Sequence, residues 1–130
     1  MTQEDTVTHW QMRAKAELKA AQTLFKTDDG DMYADVLFHC HLCMELALKS
    51  LYVQQFDKAA PFTHDLNELA HMLSIVGMEQ YEDDFENMTE NAILSRYGDG
   101  EWLQRKATRA HAQHWLQKTE EYLSLLLQHG

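Results

Sequence analysis

The stretch from Asp31 to Gln55 limits what this chain can become more than any other, above all FHCHLCMELALKSLYV from Phe38 to Val53. Tyr33, Val36, Leu37, Cys40, Met44, Ala47, Leu48, Leu51 and Tyr52 fall on one helical stripe, and Phe38, Leu42, Leu46 and Val53 on a second. A helix apolar over most of its circumference has to be covered on several sides, which places it at the centre of a bundle. Glu45 and Lys49 stand one turn apart within that surface, in the Glu-then-Lys order that suits the helix dipole. Charges enter a core when they are paired, so the couple reads first as a structural pair and second as part of a site.

Breakers divide the rest of the chain. A first helix runs from about Thr8 to Lys26 with Val7, Trp10, Ala14, Leu18, Ala21 and Phe25 at helical spacing; it ends in TDDGD, where Gly30 supplies the turn and Asp31 a cap. After the central helix, Phe56 to Thr63 form a loop with Pro61 as its stop signal and Thr63 as an N-cap. A third helix follows from about Asp65 to Val76, carrying Leu66, Leu69, Ala70 and Leu73 and closed by Gly77. A short acidic helix from about Glu79 to Leu94 leads into a turn, RYGDG, at Arg96 to Gly100. The last helix covers about Glu101 to Gln128 on the stripe Ala112, Trp115, Leu116, Thr119, Tyr122, Leu123 and Leu126. At its start Leu103, Ala107, Ala110 and His114 continue the stripe in a shifted register, which predicts a bend, a change of contacts or a second partner surface. No segment sustains period-two alternation. The expectation is an all-α fold, an up-and-down antiparallel four-helix bundle with one additional short helix, in a single domain over 1–130.

Composition narrows the function classes. No apolar run approaches the roughly eighteen residues of a membrane span, and MTQEDTVTHW has neither the basic nor the apolar part of a signal peptide. A cytoplasmic protein with no membrane partner is expected. A net charge of -10 opposes coating of nucleic acid through the bulk field. Cys40 and Cys43 lie mid-helix, where a thiolate is not favoured, and read as reduced core residues. HCHLC sets His39 and Cys43 one turn apart, but His64 and His71 are remote further donors, so neither a metal nor another cofactor is expected. No Walker loop, HExxH, GxSxG or paired catalytic carboxylate motif occurs. Phe38, Tyr97, Trp102 and Leu125 to Leu127 exceed what one core needs, which predicts a homodimer.

FHCHLCMELALKSLYV with Glu45 and Lys49, then THDLNELA at Thr63 to Ala70 and SRYG at Ser95 to Gly98, resembles the HEPN family over nearly the whole chain. Trp10, Ala14, Leu18, Ala21 and Leu24 in the first helix match as well. Ser95 stands for the usual alanine and Gly98 for the usual proline, a looser turn that keeps Arg96 and Tyr97. The resemblance implies a dimerising bundle, found in prokaryotes alone or beside a minimal nucleotidyltransferase in a toxin–antitoxin-like module, with a role in binding nucleotides or RNA.

The residues offer three functions. In the first, Thr63 and His64 at the start of the third helix present free N–H groups to a phosphate, Arg96 adds a bidentate contact, Tyr97 a stacking face and Lys49 a point charge; the bland alternative is that these residues only cap and pack. The second, implied by RNA-cleaving members of the superfamily, is metal-independent endoribonuclease chemistry by an Arg-x(4–6)-His pair, either Arg105 with His111 or Arg109 with His114. With 8 histidines in 130 residues, about 0.7 such spacings arise by chance. On a straight helix the partners also point roughly 120 to 140 degrees apart, so they converge only at a helix break or across a dimer. The third is a non-catalytic interaction module. Binding without catalysis is the first expectation.

Overall fold

The computed structural model describes residues 2–73 and 81–128. Helix α1 (Gln3–Lys26) opens on a capping box, in which the Thr2 hydroxyl accepts the Asp5 N–H and the Asp5 carboxylate accepts that of Thr2. Ala14 and Ala21 are fully buried on α1, and having only methyl side chains they let its backbone come close to the next helix. That helix, α2 (Tyr33–Phe56), buries Val36, Leu37, Cys40, Met44, Ala47, Leu48, Leu51 and Val53 in turn around its circumference. Gly30–Phe56 reaches a mean hydropathy of 1.3, so by length and composition it passes as a membrane span, contrary to the expectation that no run comes close. Here its apolar surface is covered by protein, with 67% of that window buried.

The other elements are α3 (Leu66–His71), α4 (Glu82–Tyr97), α5 (Gly100–Lys106) and α6 (Arg109–Gln128). Cross-links fix their directions. Gln3 at the start of α1 donates to the Val53 and Gln54 carbonyls at the end of α2, the first of which also accepts the Asp57 N–H. Arg96 at the end of α4 lies over the Phe38 ring near the start of α2. Tyr122 near the end of α6 packs edge-on to Phe85 near the start of α4, and Arg109 at the start of α6 reaches Asp28 just beyond α1. Helix α2 is therefore antiparallel to α1 and α4, and α6 is antiparallel to the same two, so α2 and α6 run parallel; α2 packs against all three. The expected all-α bundle is found, and no strand occurs among the described residues.

The elements differ from expectation in several places. The described part of the third helix has six residues, whereas the helix expected to be short and acidic is a full bundle member reaching Tyr97. The expected run of α3 through Val76, its closing Gly77 and the start at Glu79 lie outside the described residues. The left-handed residue after α1 is Asp28 rather than Gly30, and the cap is Asp29, which accepts the Asp31 N–H. The last helix is two: Ala107 leaves helical geometry at ψ 60, and Thr108 caps a new start by accepting the His111 N–H. Gly98 is tight, not loose, since a Cβ there would meet the Leu94 carbonyl oxygen at 2.3 Å. Of the surplus apolar residues, Tyr97 and Leu125 are exposed, Phe38, Trp102 and Leu127 are half-buried, and Leu126 joins the core.

If α2 is the hub, truncating its buried side should cost far more than truncating an exposed face of α1. Leu48→Ala is expected to destabilise by about 2–5 kcal/mol, and Met12→Ala, at 64% exposure, by no more than about 0.5 kcal/mol. Urea unfolding of the two variants checks this; equal midpoints would remove α2 from the centre of the stability argument.

Candidate functional site

Glu45 is buried on α2, yet it does not form the closed pair with Lys49 that its spacing suggests. One carboxylate oxygen accepts from Lys49 Nζ at 3.0 Å, and the other accepts from His64 Nδ1 at 2.9 Å. His64 comes from the loop after α2, so a residue nineteen positions away joins the pair. His41, one turn before Glu45, donates its Nε2–H to the His64 backbone carbonyl at 2.7 Å. The loop is thus held to α2 at one residue, through both its backbone and its side chain. Burial alone would push the Glu45 carboxyl up. The hydrogen bonds from His64 and Lys49, with the charges of Lys49 and His41, outweigh it and hold Glu45 below its usual range. His41 is pushed down, chiefly by burial and against the pull of the His64 carbonyl and Glu45, so it is neutral at neutral pH.

Above this network, a cavity of about 340 Å³ opens between α2 and α4, lined mainly by Phe38, Leu42, Ala92 and Ile93. His41, Glu45, His64, Arg96 and Tyr97 supply its polar groups. The last helical turn of α4, kept helical up to Gly98, delivers Arg96 and Tyr97 to the mouth. The Arg96 guanidinium stacks 3.8 Å from the Phe38 ring centre and lies 3.5 Å from Asp35, with its side chain 44% exposed. Its planar fork is oriented by the ring and the carboxylate, while donors stay accessible. Tyr97, 86% exposed, presents its ring to solvent at the rim.

Three of the five expected phosphate-site residues, His64, Arg96 and Tyr97, therefore share one cavity. Lys49 and Thr63 do not line it. Lys49 faces a separate hollow beside Trp10, Lys58 and Phe62, with its ammonium held by Glu45. The Thr63 hydroxyl donates to Glu68 and accepts the Asp65 N–H. Nor are the first amides of α3 free: Asp65 accepts those of Asn67 and Glu68, and Thr89 that of Leu66. Sequence reasoning misses His41, because along the chain it is one histidine among apolar residues; the signal for it is its place one turn before Glu45.

The arginine–histidine pairs are not brought together within the chain. Arg109 is committed to Asp28 at 2.8 Å and to the Phe25 ring. His111 and His114 do share a cavity, of about 470 Å³, with Lys106, Glu90, Asn87, Asn91 and Trp102, but neither Arg105 nor Arg109 lines it. The expected helix break lies between Arg105 and His111, and it turns Lys106 rather than Arg105 toward the histidines. Burial, helped by Lys106 and His114, holds His111 below its usual value. His114 is exposed rather than seated in an apolar stripe, and Ala110 is exposed as well. His39 is engaged with Glu17 at 2.5 Å, and burial pushes the Cys40 thiol up to about 12 and Cys43 up as well. Among the described residues no three His, Cys, Asp or Glu side chains come together as a metal-binding group.

A family model described as "HEPN domain" matches residues 7–129. The chain is similar in fold to the crystal structure of TT1696 from Thermus thermophilus, with a TM-score of 0.80 at 20% identity, covering 94% of this chain and 96% of that one. No curated protein matches.

The network predicts how stability responds to acid. The unfolded chain takes up a proton at His41 near the ordinary 6.5 while the fold resists it, so stability falls as pH drops below that value. A second loss follows below the ordinary 4.5 of Glu45, whose folded carboxyl sits lower. His111 contributes to the first step. Urea titrations across this range should show His41→Gln shrinking the first loss and Glu45→Gln the second; profiles parallel to the parent's would contradict the assignment.

Proposed function

The chain belongs to the HEPN domain family, and from that premise we propose that the cavity between α2 and α4 binds a nucleotide or the phosphate-bearing end of an RNA strand. Membership carries a nucleotide- or RNA-related role in general. The finer reading is supported by one observation: His64 from the loop and Arg96 and Tyr97 from α4 converge on a single cavity floored by Glu45. Arg96 is the phosphate contact, already oriented by Phe38 and open to a bidentate approach. Tyr97 offers a face on which a base stacks, a contact worth about 1–3 kcal/mol. His64 adds an imidazole edge beside Arg96. Lys49 serves indirectly, since it holds the carboxylate that orients His64. The cavity is in the size range of small-molecule sites and lacks an activated nucleophile, which favours binding over catalysis.

In this reading the protein works as a cytoplasmic homodimer and as the accessory partner of a minimal nucleotidyltransferase. Exposed Ile93, Tyr97 and Leu125 leave apolar surface for such contacts. At a ligand concentration a hundredfold above Kd, binding stabilises a fold by about 2.7 kcal/mol. Nucleotide should therefore raise the Tm of the parent protein and leave that of Arg96→Ala unmoved. A shift of equal size in that variant would remove Arg96 from the site, and no shift in the parent would retire the binding reading.

Ribonuclease activity is the second reading, and the observation favouring it is the cavity that joins His111 and His114 to Lys106. One neutral and one protonated histidine can move the proton of an attacking hydroxyl, with a lysine beside the phosphate. Cleavage of RNA by the purified protein, lost by about 10²-fold or more in His114→Ala, is the expected outcome on this reading. Intact RNA, or cleavage indifferent to both histidines, excludes it.

A further inference from the structure

The floor of the α2–α4 cavity carries two hydrogen-bond acceptors side by side. His41 is only 3% exposed, and its Nε2–H is spent on the His64 carbonyl. The neutral ring therefore carries a lone pair on Nδ1, which has no hydrogen-bond partner among the described residues. Glu45 Oε1 lies 3.9 Å from that nitrogen, too far for a hydrogen bond between them. A buried acceptor with no donor, next to a carboxylate, is unfavourable as it stands, and such groups mark places where a ligand completes the arrangement. Charging His41 would relieve the clash, but its desolvation opposes that. Thr89 supplies no donor: its hydroxyl is given to the Phe85 carbonyl and its lone pair to the Leu66 N–H. Lys49 serves Glu45 Oε2, and His64 Nδ1 donates to Oε1, which leaves that oxygen its second lone pair; Arg96 stands at the mouth over Phe38.

Resting on the nucleotide reading above, we propose that the cavity selects a base bearing an exocyclic amine, bridged between His41 Nδ1 and Glu45 Oε1. An NH2 nitrogen seated about 2.9 Å from each acceptor gives one hydrogen to each. The spacing suits a group with two hydrogens on one atom, and the apolar walls of Phe38, Leu42 and Ile93 suit a flat ring behind it. A keto oxygen in the same place would face two acceptors and be rejected, because sites built around buried polar groups discriminate most strongly against partners that leave them unpaired. Adenine, cytosine and, through its 2-amino group, guanine fit this description; hypoxanthine and uracil do not.

The test titrates the full chain with adenosine monophosphate and with inosine monophosphate by calorimetry. These share the purine skeleton, ribose and phosphate and differ at position 6, amine against keto oxygen, and with it at N1, an acceptor in the first and an N–H in the second. The expected result is that the amine binds at least about tenfold more tightly. In His41→Phe a ring fills the same place with no acceptor on it, so the ratio should collapse toward one. Equal binding of both nucleotides by the parent overturns the amine assignment while leaving the nucleotide site standing. Binding of neither overturns the nucleotide reading, and the assignment with it. If His41→Phe fails to fold, the parent ratio alone decides.

Discussion

A helix that is apolar on every side cannot satisfy itself. Burying α2 requires three long neighbours: α1 and α4 run antiparallel to it, and α6, antiparallel to both of those, runs parallel to it. The same requirement explains why Ala14 and Ala21 sit where α1 comes closest, and why Cys40 and Cys43 read as packing residues. Each is a small group where two backbones need to approach.

Within that hub the one buried acid, Glu45, decides where function can sit. A lone buried carboxylate is strongly disfavoured, and Lys49 neutralises it but leaves one oxygen to be served. The loop after α2 serves it through His64, which brings a segment with little regular structure down onto the helix beside the end of α4. The cavity is a consequence of that meeting. Its polar floor is there because the carboxylate needed donors, and its apolar walls are there because α2 and α4 face one another with Phe38, Leu42 and Ile93 between them.

Much of this is legible in the residues. The stripes of α2, the pairing of Glu45 with Lys49 and the clustering of His64 with Arg96 and Tyr97 follow from spacing and from the resemblance to the family. What escapes has a common cause: local signals shared by two elements. Thr108 is a good N-cap, yet the leucines and tryptophans on either side continue a plausible stripe, so the break at Ala107 shows in the sequence only as a shift in register. Gly98 looks permissive because a missing side chain gives no positive signal, whereas the Leu94 carbonyl pressed against it is a fact of three dimensions. Lys49 falls to the phosphate site on sequence grounds because one helical turn from Glu45 says nothing about which side of the carboxylate it approaches. His41 needs the loop in place before its lone pair can be seen as stranded.

The way His64 is fastened has a mechanical corollary. Its carbonyl is bonded to His41 and its imidazole to Glu45, so two ties of the segment from Asp57 to His64 to the side of α2 belong to a single residue. Because both run through one residue, the backbone and the imidazole of His64 are positioned together, and Phe62 stands wholly in solvent two residues earlier on the same strap.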